Sequence, residues 1–300
     1  MPRRPPAGFA VASVVAALAA GAGCDDAHLM VRSQAVSAFC EAAVDTVDGQ
    51  VLVDVETDYL PHVVACENGN AAPIALQAQA VAARSYLYYR LERSGSIGDG
   101  TGDQVYTCGR APGPEHYAAV AATSGLVLRY PPDAGDAATQ VAAFFVAGAL
   151  QAGPSCTGGT DDPTGTEQWV TYNDGLSGAD LHQTPLGLVD PTNYANRGCL
   201  SQNGSNCLAQ QGYGLASILR FYYGADIGIV RADGPCVTAP DPADAGVGVG
   251  DDDSGGGGTG DATGGCVTSP RSSGGAVALA IGLCALRRPR RRGRGATRTA

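Results

Sequence analysis

The pattern of apolar and polar positions divides the chain into a structured middle and two unlike ends. Val51-Leu52-Val53-Asp54-Val55 alternates with period two and predicts a half-buried strand. Tyr59 to Cys66 continues apolar and reads as a short helix or the end of a strand. The run breaks at Glu67-Asn68-Gly69-Asn70. It resumes at Pro73, where Leu76, Ala80, Ala83, Leu87 and Leu91 recur at spacings of four and three. That stripe predicts a helix over 73–93, with Pro73 in its first turn and Gly95 as its stop. A short helix is expected around Ser37 to Val44, and a turn at Gly98 to Gly102. Gln104 to Cys108 reads as a short strand, Pro114 to Ser124 as a helix, and Leu126 to Tyr130 and Thr139 to Gly148 as strands. Ser155 to Thr166 reads as a Gly-rich loop, Gln168 to Asn196 as irregular structure, and Asn206 to Tyr223 as a closing helix. Gly212 and Gly214 weaken the first half of that last helix.

The ends follow other rules. Residues 1–24 carry Arg3 and Arg4, an apolar run from Ala7 to Ala20, and small residues up to Cys24, the order of an export signal. Cleavage after Ala20 or Ala22 gives an ordinary secreted chain, and cleavage before Cys24 a lipoprotein; both readings stay open. Residues 25–50 form a mixed leading segment. Residues 238–265 are rich in Gly and Asp and too poor in large apolar residues to bury a core, which predicts a disordered linker. Residues 266–300 begin with Cys266, continue with an apolar run from Gly274 to Leu286, and end in an Arg cluster from Arg287 to Arg294.

Charge and cysteine content narrow the function classes. The chain has no Lys, and all 29 acidic residues lie between Asp25 and Asp261, a span with only nine Arg. Its middle therefore carries a formal −20, and no cation cluster there suits a phosphate backbone, so nucleic acid is not an expected partner. Cys40, Cys66, Cys108, Cys156, Cys199, Cys207 and Cys236 fall in the middle region. After an export signal they predict disulfides, with at least one thiol left over because their number is odd. Cys199 and Cys207 are the nearest pair and the expected local bridge. No C-x-x-C or C-x-x-H spacing points to zinc. A thiol-nucleophile reading would take Cys156 with His116 or His182 as base, against the ordinary oxidation of exported cysteines.

Three blocks in order resemble the sporulation stage II protein D family, SpoIID/LytB. The first is Tyr59-Leu60, Val63-Val64 and Glu67, followed by the run Ala75 to Tyr86. The second is Asp103-Gln104-Val105-Tyr106. The third runs from Ser201-Gln202-Asn203-Gly204 to Ile218–Gly224. Thr123 to Leu128 and Cys156 to Thr160 fit between them. The resemblance implies a single α+β domain over 51–237 with a substrate groove. It also implies a peptidoglycan glycan-strand cleaving enzyme of the lytic transglycosylase type, with Glu67 as general acid and base. Gln79, Arg84, Gln104, Tyr106, Ser201 and Gln202 are the residues expected to bind substrate.

The chain departs from the family pattern in places. Asn68-Gly69 stands where Met-Pro usually follows the Glu, and Gly102-Asp103 stands where some members carry a zinc-binding His-Cys; no metal and no cofactor are expected. The C-terminal order of Cys, short apolar run and Arg cluster resembles the MYXO-CTERM sorting tail. That resemblance implies export and attachment to the cell envelope, with membrane contact only through the N-terminal signal and the tail.

The chemistry of one carboxylate is coherent. Lytic cleavage needs one group to protonate the glycosidic oxygen and then to take a proton from the sugar's own C6 hydroxyl, whereas hydrolases need a carboxyl pair. A lone Glu at an apolar strand end, with its pKa raised by desolvation, suits a general acid. The alternatives are a non-catalytic peptidoglycan-binding or amidase-modulating module on the same fold, and a structural surface domain. A disulfide at Cys66 would either stiffen or block the site.

Overall fold

Helix α2, Pro73–Ser94, organises the domain because its small residues let neighbours approach it from all sides. From Ala78 to Tyr88 every residue is buried, the signature of a helix surrounded by protein rather than lying on a surface. The predicted stripe faces one core with α1 and β1, while Ala78, Val81 and Ala82 face a second core with α4 and α5. Pro73 opens the helix in its first turn, and Gly95, at φ 75°, closes it in the left-handed conformation with its N–H on Leu91 O.

The computed structural model describes residues 36–238 except 133, 136, 137, 151, 152 and 190–192. The expected export signal 1–24 with Cys24, the expected linker 238–265 (all but its first residue), and the expected sorting tail 266–300 with Cys266 lie outside the described residues. The elements in order are β1 Glu41–Thr46, β2 Gly49–Asp54, α1 Leu60–Asn68, α2, β3 Ile97–Gly98, α3 Pro114–Ala122, β4 Leu126–Tyr130, β5 Thr139–Gln140, β6 Phe144–Val146, β7 Cys199–Ser201, α4 Gln202–Gln210, α5 Leu215–Tyr223 and β8 Gly228–Arg231. They form three small sheets, ordered β2-β1-β3, β5-β4-β8 and β6-β7. Mixed helices and small sheets make the class α+β, as expected. Among the described residues no helix is long and apolar enough to cross a membrane.

Several expectations are corrected. Ser37 to Val44 does not form a helix: β1 pairs antiparallel with β2 from Glu41↔Asp54 to Thr46↔Gly49, and sheet pairing overrides the local helix propensity of Glu-Ala-Ala. The leading segment is thus part of the domain from β1 onward. Gln104 to Cys108 makes only an isolated bridge, Asp99↔Gln104, because side chains rather than a ladder hold it. The strand over 139–148 is two short ones, since Ala142 N leaves the sheet for Ala195 O. The closing helix is also two, α4 and α5, split where Gly212 adopts φ 90°.

The disulfide expectation is corrected as well. Cys207 pairs with Cys156, not with Cys199, and the others join Cys40 to Cys236 and Cys66 to Cys108. Cys199 is the leftover thiol, buried in β7, with its pKa pushed upward by burial. Its position inside the sheet keeps it from α4, where Cys207 faces the 153–160 loop instead. With Cys156 in a disulfide, it has no thiol with which to act as a nucleophile.

Candidate active site

Glu67 lies in the last turn of α1, not in the polar break after it. Pro61 stands in the first turn of that helix, and Leu60, Val63 and Val64 are packed into the core. Their spacing along the helix sends Glu67 to the rim of a cleft of about 480 Å³. The last residue of α1 contributes Asn68 and the turn after it Asn70, one wall carries Cys108 and Arg110, and α4 supplies Asn203 and Asn206.

Two neutral donors fix the carboxylate. Val105 N donates to Oε1 at 2.8 Å, and Gln202 Nε2 donates to Oε2 at 3.1 Å. Burial raises the Glu67 pKa above its ordinary value, and the two hydrogen bonds, which favour the ionised form, offset only part of that rise. Each oxygen accepts one hydrogen bond and retains a second lone pair to carry or receive a proton.

Both donors are themselves held. Gln104 is buried between Tyr59, whose OH donates to its Oε1 at 2.8 Å, and Ala83 O, which accepts from its Nε2 at 3.1 Å. The Asp99 carboxylate accepts from Tyr106 N, Thr107 N and Thr107 Oγ1. Asp103 accepts from Gly98 N and Tyr86 OH and pairs with Arg90 at 3.2 Å. These contacts fix the chain on both sides of Val105. On the other side of the cleft, Ser201 Oγ accepts from Gly204 N and caps α4, setting the direction of Gln202, the helix's first residue. Gly148, at φ 69°, runs so close beneath that a Cβ there would strike Ser201 Oγ. Asn206 Oδ1 accepts Ala72 N at 2.8 Å and ties α4 to the start of α2.

The remaining wall is fixed through His116. Gly113 N donates to its Nδ1 at 2.8 Å, so Nε2 carries the proton and donates to Gly69 O at 3.0 Å. This joins the start of α3 to the end of α1. A Cβ at Gly69 would strike the backbone oxygen of Ala65 and crowd the Arg110 guanidinium beside it, which favours a glycine at the end of the helix. Among the described residues Arg110 makes only long contacts, 3.5 Å to Ala65 O and 3.4 Å to Asn70 Oδ1.

The expected substrate residues separate on this geometry. Gln202 touches Glu67. Gln104 and Ser201 are buried and act through Val105 and α4. Tyr106 stacks on Tyr59 with centroids 5.5 Å apart and donates its OH to Asp58 at 3.0 Å. Arg84 and Gln79 are corrected: both are fully buried and out of reach of a ligand in the cleft. Arg84 is engaged with Glu56 through Nε–Oε1 at 2.7 Å and Nη2–Oε2 at 2.8 Å. The Gln79 amide has no hydrogen-bond partner among the described residues.

Sequence reasoning missed the Val105 N–H, Arg110, Asn203, Asn206 and the Cys66–Cys108 bridge. Asn203 and Asn206 follow Gln202 within one turn and a half, and that polar cluster at a helix start is the only signal the chain offered. Among the described residues no group of three or more His, Cys, Asp or Glu is placed to hold a metal.

No curated protein matches the chain. Residues 46–130, which run from the end of β1 to the end of β4 and include Glu67, α2 and Val105, match the family model described as SpoIID, Stage II sporulation protein.

Proposed function

We propose that the domain cleaves peptidoglycan glycan strands as a lytic transglycosylase, with Glu67 as its single acid and base. The observation that carries this reading is that, among the described residues, Glu67 is the only carboxylate lining the cleft and is biased by burial toward its protonated form. The SpoIID match over 46–130 adds the cell-wall context. A glycan occupying the cleft meets amide groups from Asn68, Asn70, Asn203 and Asn206, which suit hydroxyl and acetamido groups.

In the first step the Glu67 proton passes to the glycosidic oxygen, and the C1–O bond breaks. In the second the carboxylate takes the proton of the same sugar's C6 hydroxyl as that oxygen bonds to C1. The product is an internal anhydro ring, no water is consumed, and Glu67 ends protonated as it began. No second carboxylate is required, in contrast to a hydrolase. Val105 and Gln202 stabilise the ionised form between the two proton transfers.

Export and attachment to the cell envelope, through the N-terminal signal and the C-terminal tail, belong to the same proposal and rest on the sequence alone. A binding or amidase-modulating module is the second reading, favoured by one observation: both Glu67 oxygens are already occupied by donors.

Incubation of the purified chain with glycan strands, intact and stripped of peptides, separates the two. Anhydromuramyl ends that appear with the wild type and vanish in Glu67→Gln support the enzyme. Binding without such products supports the module and sinks the catalytic reading.

A further inference from the structure

The disulfide Cys66–Cys108 lies on the wall of the cleft, and its two cysteines bracket the contact that holds Glu67. Cys66 immediately precedes Glu67 in α1. Cys108 follows Val105, the N–H donor to Glu67 Oε1, by three residues. Between them they close a small ring through the hydrogen bond, from Cys66 to Glu67, across to Val105, and along the chain to Cys108.

The segment from Val105 to Arg110 lies outside any helix or sheet. Its two ends differ in how they are held. Gln104 is buried and bonded to Tyr59 and Ala83, and Asp99 gathers Tyr106 and Thr107 from one side. From Thr107 to Arg110 the residues are exposed. Besides the long Arg110 contacts, the tie from Thr107–Arg110 to α1 among the described residues is the disulfide; just before this stretch, Tyr106 sets its ring edge-on to His62 of α1, centroids 5.3 Å apart, and its carbonyl 3.7 Å from Cys66 Sγ. Asp99 fixes the segment relative to the β3 turn; only the disulfide fixes it covalently to the helix that bears the carboxylate.

We propose that the Cys66–Cys108 disulfide is a positioning device that clamps the Val105 segment onto the last turn of α1 and keeps its N–H on the Glu67 carboxylate. The inference rests on Glu67 being the working group, and of the two outcomes foreseen for a disulfide beside it, stiffening or blocking, it selects stiffening. Both cysteines line the cleft wall while its centre remains open at about 480 Å³. The groups near Glu67 that can carry charge are Arg110, which shares the cleft, and Tyr59, whose hydroxyl feels the Glu67 charge. Neither side chain is substituted in the test.

The test uses the full-length chain with Cys66→Ala and Cys108→Ala together. Alanine is chosen because a hydroxyl at position 66 would find the Tyr106 carbonyl and restore part of the tie. In the wild type the Val105 amide proton should move, in an NMR pH titration, at the midpoint of Glu67, since it donates to that carboxylate. In the double variant most of that pH-dependent displacement should disappear, and glycan cleavage should fall on the order of 10- to 100-fold, as for small misplacements of a catalytic group. Removal of the Cys40–Cys236 disulfide by the same exchange is the control. It closes a much longer loop of 196 residues and should lower stability at least as much, yet leave the Val105 displacement intact.

A Val105 displacement that survives the loss of Cys66–Cys108 overturns the proposal. So does its loss in the control. Should the double variant not fold, Cys108→Ala alone reads the same amide. A wild type that cleaves no glycan would refute the enzymatic reading while the Val105 measurement still decides this one.

Discussion

Replacing Arg84 is the sharpest test of how the helix stack supports the site. Its guanidinium is 0% exposed and its partner Glu56 is 9% exposed. The two make a bidentate pair, and Arg84 Nη1 also donates to Leu126 O at 3.2 Å. This pair joins the middle of α2 to the π turn Val55–Tyr59, which leads directly into α1 and Glu67. Arg84→Met keeps most of the side-chain volume but leaves the Glu56 carboxylate unpaired inside the protein. Removing one partner of a buried pair costs about 3–5 kcal/mol, which is a large share of the roughly 5–15 kcal/mol that holds a domain folded. At roughly 2–4 °C per kcal/mol for a domain of this size, the melting temperature should drop by roughly 6–20 °C.

Arg84→Met with Glu56→Leu removes both charges together and should recover most of that loss, since a well-packed apolar pair often replaces a buried ion pair at little cost. Urea unfolding of wild type, both single variants and the double variant, with disulfides kept oxidised, gives the full cycle. The double variant should also retain glycan cleavage, because neither side chain reaches the cleft. The reasoning is refuted if Arg84→Met alone shifts stability by less than about 0.5 kcal/mol, the ordinary range for surface changes, or if the folded double variant loses cleavage.

Two further outcomes follow from the site's geometry. The folded Glu67 pKa lies above its ordinary 4.5, so the folded state favours the protonated form. The stability this provides is complete below the unfolded value and is lost as pH rises through the folded one. Glu67→Gln, which stays neutral while Gln202 turns its amide over, should therefore be more stable than wild type near pH 7. That advantage should shrink as pH falls through the folded value and be gone below the unfolded one, about 4.3; melting curves from about pH 7 to below about 4 check it, and a constant difference at every pH rejects it. Gly148→Ala places a Cβ at φ 69° against Ser201 Oγ. It should cost at least about 1 kcal/mol and, by displacing the α4 cap and Gln202, should lower cleavage more than a Gly175→Ala control, where φ is 70° and the space is open.

What the chain revealed about its fold depended on whether the deciding contacts were local. Helix α2 was legible because Pro73, a regular stripe and Gly95 all act within one segment. That it is buried on every side was not, since this depends on β4, α4 and α5 arriving later in the chain. β1 was hidden because Glu41 to Val44 contains helix formers, and only pairing with β2 makes it a strand. The Cys199–Cys207 expectation failed for a related reason. Short separation makes a bridge easy to imagine, but β7 runs straight into α4 and carries Cys199 into the sheet. Cys156, 51 residues before Cys207, is the cysteine that the loop brings to the helix.

The site divides in the same way and shows why its partners were difficult to foresee. Glu67 could be singled out by its side chain. One of its two donors is a backbone N–H, which residue 105 would supply whether or not it were valine, and the other comes from Gln202, 135 positions away. Both are neutral. A guanidinium in either place would hold the carboxylate ionised and remove its use as an acid; Arg110, the cation of the cleft, instead reaches toward Ala65 O and Asn70. Amide donors fix where the carboxylate points while leaving burial to decide its charge. A group that must give up a proton in one step and take one back in the next requires that separation of position from charge.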